Sequence, residues 1–134
     1  MASSSPQAPL PAPLGILLLS GAHDRAHYAF VLATGAASIG RRVVVFATNG
    51  GCHALLADWS GLADADRDAR ISAAGVAGLD ELREAATALG VGLVICEAGL
   101  RAEGLDGAAL YPGVRVAGVV TFLSEVGAGQ MLAI

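Results

Sequence analysis

Lysine is missing altogether from this 134-residue chain, whose eight basic residues are all Arg. With it go a Walker-type phosphate Lys, a Schiff-base Lys and a Lys general base. Charge of either sign is scarce, 15% of residues against a usual share of about 25%. A net charge of −4 leaves no cation cluster to track a phosphate backbone, so no nucleic acid is expected as a partner. There are two cysteines, Cys52 and Cys96, far apart and in no CxxC. That excludes a disulfide scaffold or a zinc ribbon and makes reduced thiols in a cytoplasm the default. No stretch approaches the roughly 18 uninterrupted apolar residues of a spanning helix, the best being Leu14 to Leu19. No membrane span is expected. Leu10 to Ala22 ends in small residues like a secretory signal, but no basic residue precedes it and Pro11 and Pro13 interrupt it.

What the chain does have is apolar residues, 54%, and 18 Gly, enough for one domain with a core. Residues 1–13, MASSSPQAPLPAP, carry no charge and no period and are expected to form a flexible tail. A single domain is expected over 14–134. Short apolar runs then alternate with longer helical segments. Strands are expected at Gly15–Ser20, Arg42–Phe46, Val91–Cys96, Val114–Val116 and Gln130–Ile134. Helices are expected at Arg25–Ile39, with Asp24 as N-cap and Gly40 as stop, at Asp80–Leu89, and at Val119–Val126. A short helix is expected from His53 to Trp59, and a turn or short helix from Leu100 to Leu110. Ser60–Ala77 is polar and without a period, and is expected to be a mobile excursion. The alternation implies a three-layer α/β/α domain: a mostly parallel sheet of about five strands, flavodoxin- or Rossmann-like, open and doubly wound.

In such sheets the ligand lies beyond the carboxyl ends of the strands. Three distinctive loops fall there: Gly21-Ala22-His23-Asp24, Thr48-Asn49-Gly50-Gly51-Cys52-His53, and Cys96-Glu97-Ala98-Gly99. Cys96 is the stronger nucleophile candidate, because it ends a buried strand where the amides of the next helical turn favour a thiolate. A free Cys at a strand end is also often only packing. Glu97 beside it would raise the thiol pKa if its charge pointed inward. Cys52, next to His53 on a glycine turn, is a candidate partner thiol. The bland reading of a small loop side chain is the better one. Asn49-Gly50-Gly51 could offer amides to an anion, with Gly21 and Gly99 on the neighbouring loops. His23 and His27 are four apart, but Asp24 as N-cap would leave His23 outside the helix and break their shared face. Contact of one of them with solvent or substrate is a better reading than a metal. No metal site is supported by spacing, and no cofactor is expected.

Three segments, GILLLSGAHDRAHYAFVLATGAASIGRRVVVFATNGG, LDELREAATALGVGLVICEAGLRAEGL and YPGVRVAGVVTFLSEVGAGQMLAI, together resemble the DsrE/DsrF-like family. These are small α/β proteins of sulfur relay, sometimes described as peroxiredoxin-like. The resemblance runs in order from Leu14 to Ile134. In many relatives a Cys follows the third strand, and Cys96 occupies that place. The resemblance implies a sulfurtransferase-like carrier that holds sulfane sulfur as a persulfide on Cys96 and passes it to a partner thiol, such as that of a small sulfur-carrier protein. It also implies a homo-oligomer, trimer or hexamer, which would give surplus apolar surface a destination. Two other readings stay open: a non-catalytic module for a small ligand or anion, and a thiol redox protein using Cys52 and Cys96.

Overall fold

The computed structural model describes residues 11–134. Five strands form one sheet: β1 (Leu14–Leu18), β2 (Val43–Ala47), β3 (Gly92–Cys96), β4 (Arg115–Ala117) and β5 (Gln130–Ala133). Their order is β4-β3-β2-β1-β5, and every pairing is parallel. Five α-helices join them: α1 (His23–Ser38), α2 (Arg67–Ala73), α3 (Leu79–Ala88), α4 (Glu97–Ala102) and α5 (Val119–Val126), with a 3-10 helix at Asn49–Leu55. The architecture is the expected α/β one, with helices on both sides of a parallel sheet.

The layers are unequal, and the strand order explains why. From β1 to β4 the chain steps across the sheet in one direction, so right-handed crossovers put every connecting helix on the same face. Only the return from β4 to β5 runs the other way, and it puts α5 alone on the second face. Side-chain alternation feeds both layers. Ile16, Leu18, Val43, Val45, Leu93 and Ile95 pack under α1, α3 and α4 in the larger core. Val44, Phe46 and Val94 turn the other way to meet Phe122 and Val126 of α5. The Phe46 and Phe122 rings stack there with centroids 4.9 Å apart.

One short helix does not cover five strands. Val119, Val120 and Leu123 on α5, Met131 on β5 and Val116 on β4 are exposed, although parallel sheets are normally buried on both faces.

The boundaries differ from expectation at instructive places. α1 begins at His23 with Ala22 as N-cap. The Asp24 carboxylate is already in the first turn, where it accepts from the amide of Arg25 at 2.8 Å. The segment expected as a mobile excursion contains α2, a helix with no buried residue. Polar bonds to α1 and α3 hold it in place. Of the expected tail, residues 1–10 lie outside the described residues. The carbonyls of Ala12 and Pro13 accept hydrogen bonds from Arg41 Nε (3.0 Å) and the Gln130 amide (2.9 Å).

Candidate functional site

Cys96 is the last residue of β3 and the N-cap of α4. Its Sγ accepts from the Gly99 amide at 3.3 Å, and the residue is half-buried. In the parallel register Cys96 lies beside Ala117 of β4, and it packs against the smaller core under α5. The neighbouring Glu97 does not turn inward. Its carboxylate lies in solvent and pairs with Arg101 one turn later at 3.4 Å.

Cys52 sits below, in the 3-10 helix, with no exposed surface. Its thiol faces the Ala47 carbonyl at 3.8 Å. Burial pushes this thiol up to about 12, reinforced by the negative charge that Cys96 and Glu103 present to a thiolate. It therefore stays protonated and inert at neutral pH. Gly99 is what brings the two cysteine loops together. A Cβ on it would stand 2.8 Å from Thr48 Oγ1, 3.2 Å from the Asn49 amide nitrogen and 3.2 Å from Cys52 Sγ.

The other loop glycines have a similar steric origin. Gly21 and Gly50 face each other backbone to backbone, and a Cβ on Gly50 would lie 2.9 Å from Gly21 Cα. Asn49 takes the left-handed conformation, φ 51°. The Gly51 amide donates to the carbonyls of Leu19 and Thr48, so it is engaged within the loop and not open to an anion.

The histidines form a separate cluster. Because α1 starts at His23, His23 and His27 do share a face. Their rings stack with centroids 5.7 Å apart, and both are buried, contrary to the expected solvent or substrate contact. His23 Nε2 donates to Asp68 Oδ1 at 2.7 Å, and its Nδ1 faces Arg67 Nη1 at 3.3 Å. A carboxylate accepts and a guanidinium donates, so these partners assign the neutral ring its proton on Nε2. His27 Nε2 donates to the Ala77 carbonyl at 2.8 Å. Both imidazoles are thereby occupied in tying the α2 segment to α1. His53 is half-buried and packs against Gly61. Among the described residues no three His, Cys, Asp or Glu side chains are grouped to hold a metal ion, and no helix is long and apolar enough to cross a membrane.

No family model matches the chain, and no curated protein does. Solved structures do match. The ychN protein from E. coli aligns with a TM-score of 0.67 over 91% of this chain and 99% of its own, at 16% identity. MTH1491 from Methanobacterium thermoautotrophicum, described as a protein of unknown function, aligns with a TM-score of 0.63 over 92% of this chain and 99% of its own, at 19% identity. What is shared is the fold.

Three residues around this fold's strand-end loops were given no role by sequence reasoning. Thr48 lies against Gly99 and Asp68 anchors His23. Arg83, 2% exposed, donates to the carbonyls of Ala54, Leu56 and Ala57 behind the Cys52 loop. Its guanidinium lies 4.1 Å from the centre of the Tyr111 ring. The available signal was its spacing: Arg83 lies four residues after Leu79 and three before Ala86, on the buried face of α3, where a cation is rare.

Proposed function

We propose that this chain is a sulfurtransferase-like sulfur carrier that takes sulfane sulfur onto Cys96 as a persulfide and passes it to a thiol of a partner protein, such as a small sulfur carrier. The observation that carries the reading is the contrast between the two cysteines. Cys96 is only half-buried at a strand end, with its sulfur held by the Gly99 amide, whereas Cys52 is sealed and stays protonated. The resemblance of Leu14 to Ile134 to sulfur-relay proteins supports it, as does a fold shared along almost the whole chain with the two solved structures.

The chemistry balances without an oxidant. The Cys96 thiolate attacks the outer sulfur of a donor persulfide, the donor's S–S bond breaks, and the donor leaves as a thiolate. The partner's thiolate then attacks the outer sulfur on Cys96, and Cys96 departs as the thiolate it began as. Both steps need an exposed nucleophile that is also a good leaving group, a role a thiol pushed up to about 12 cannot fill.

The same proposal includes a homo-oligomer in a reducing, cytoplasmic setting. The exposed apolar residues of α5 and β5 form the surface a second copy would cover. The decisive experiment is intact-protein and peptide mass spectrometry after incubation with a sulfane donor. A gain of about 32 Da on Cys96 is expected, and the labelled protein should return to its starting mass on adding an acceptor thiol. No adduct, or an adduct undiminished in Cys96→Ser, overturns the reading.

A further inference from the structure

A cleft lies at the amino-terminal end of the sheet, remote from the cysteines. Its cavity of ≈320 Å³ is lined by Arg42, Val43, Val44, Gly92, Arg115 and Glu125. The register explains the shape. Gly92 lies beside Val44 and Arg115 beside Val94, so all of these share the face on which α5 lies, and Glu125 in the last turn of α5 closes one side. A Cβ at Gly92 would stand 3.6 Å from Arg115 Nη2 and 3.6 Å from Val44 Cγ2. The dip between the two arginines exists because β3 opens on a residue without a side chain.

The electrostatics are asymmetric. Arg115 Nη2 donates to both carboxylate oxygens of Glu125, at 2.9 and 3.2 Å, and its other guanidinium nitrogens have no protein partner among the described residues. Among those residues no carboxylate pairs with Arg42, and residues 1–10 contain no acidic side chain. Two guanidinium groups and one carboxylate thus border an apolar floor formed by the Val44 side chain, which is buried, beside Gly92, while Val43 turns its side chain to the other face. Guanidinium forks match planar or tetrahedral oxyanions, and a small cleft on a chain of net charge −4 suits a small anion better than a polymer.

We propose that this cleft binds a small organic anion, with a phosphate or carboxylate held between Arg42 and Arg115 and an apolar body resting on Val44 and the open backbone at Gly92. Such a site is independent of the Cys96 chemistry, which lies at the opposite ends of the strands.

The test is titration of the full chain, at constant ionic strength, with phenyl phosphate and with phenylacetate, followed by amide NMR shifts and calorimetry. Saturable binding of at least one of them is expected, with shifts centred on Val43, Val44, Gly92 and Arg115. Inorganic phosphate, which lacks the apolar body, should bind more weakly than phenyl phosphate. The double variant Arg42→Gln/Arg115→Gln should weaken binding by about tenfold or more, and Glu125→Gln, which releases Arg115, should tighten it severalfold. Gly92→Leu should block the floor. If that variant misfolds, the exposed arginine pair still decides the matter. Non-saturable shifts with both ligands, or affinities unchanged in the arginine double variant, overturn the proposal. Which ligand binds tighter distinguishes a phosphate site from a carboxylate site.

Discussion

Gly99 touches both cysteines of the chain: its amide donates to Cys96 Sγ at 3.3 Å, and the place where its side chain would be lies 3.2 Å from Cys52 Sγ. Any side chain at 99 must push α4 away from the Thr48–Cys52 loop and carry the Cys96 hydrogen bond with it. Gly99→Val is expected to cost about 1–3 kcal/mol by overpacking, measured by chemical denaturation. It should also slow alkylation and persulfidation of Cys96. Unchanged Cys96 reactivity in a destabilised variant would separate the packing role of Gly99 from its role at the sulfur.

The Cys52 thiol should make stability depend on pH in the alkaline range. A Cys52 thiol raised to about 12 keeps its proton in the folded state where the unfolded chain, with a thiol near 8.5, has lost it. The unfolded state then binds fewer protons, so stability falls with rising pH. The Cys52 contribution is fully present below the ordinary thiol value and is lost as pH climbs from there towards about 12. In urea titrations across alkaline pH, Cys52→Ala should flatten that slope. Native-state labelling at pH 8 should modify Cys96 and spare Cys52.

Arg83 is a buried cation satisfied mainly by carbonyls. Desolvation lowers its pKa, with Asp80 and Tyr111 acting in the opposite direction, yet a guanidinium stays charged in a protein. Arg83→Met would orphan the carbonyls of Ala54, Leu56 and Ala57 and should cost about 2–4 kcal/mol. Tyr111→Leu, which keeps an apolar side chain and removes the π face, should cost about 1 kcal/mol from the lost cation–π contact. Equal losses in the two variants would contradict this division of labour.

Asp68 holds two donors on one oxygen, His23 Nε2 at 2.7 Å and the Leu79 amide at 2.8 Å. Since α2 buries no residue of its own, these bonds, the Arg67 contact with His23, the bond from His27 to Ala77 and the backbone bonds of Ala63 with Gly21 and His23 fix the segment. Asp68→Ala should cost about 2–3 kcal/mol. Hydrogen exchange should rise sharply between residues 63 and 78 and little in the strands. Uniform acceleration across the whole domain would show that α2 is not a separable unit.

Assembly can be tested at the uncovered face. Val120, 76% exposed, and Leu123 are expected at the contact between copies. Light scattering should find the wild-type chain oligomeric and Val120→Glu/Leu123→Glu smaller, with its circular dichroism unchanged. A wild-type monomer at high concentration would remove the oligomer from the proposed function.

The sheet and its strands were readable because a buried parallel strand writes itself locally, as Val43-Val44-Val45 does. α5 was readable as Val119–Val126 because a short periodic run is closed by Gly127. Cys96 could be placed at the end of β3 for the same reason. The histidines could not be read. Asp24 has the composition of an N-cap, but the chain puts the cap one residue before His23, and that single shift turns two separated rings into a stacked pair. Nor does the local pattern of 60–77 reveal α2, because its anchors are His23 and His27, more than forty residues away in sequence. Non-local polar pairing leaves no period to detect.

The lone reversed crossover also bears on synthesis. β1 pairs with β2 on one side and with β5 on the other, and β5 is made after the other four strands. While the nascent chain is still attached, β1 is an open strand edge, and Phe46 and Val94 lack their cover from α5. Such edges invite pairing with the wrong chain. The chain is therefore most vulnerable to misassociation in the interval before residues 119–133 emerge, and the first strand translated is among the last to be completed.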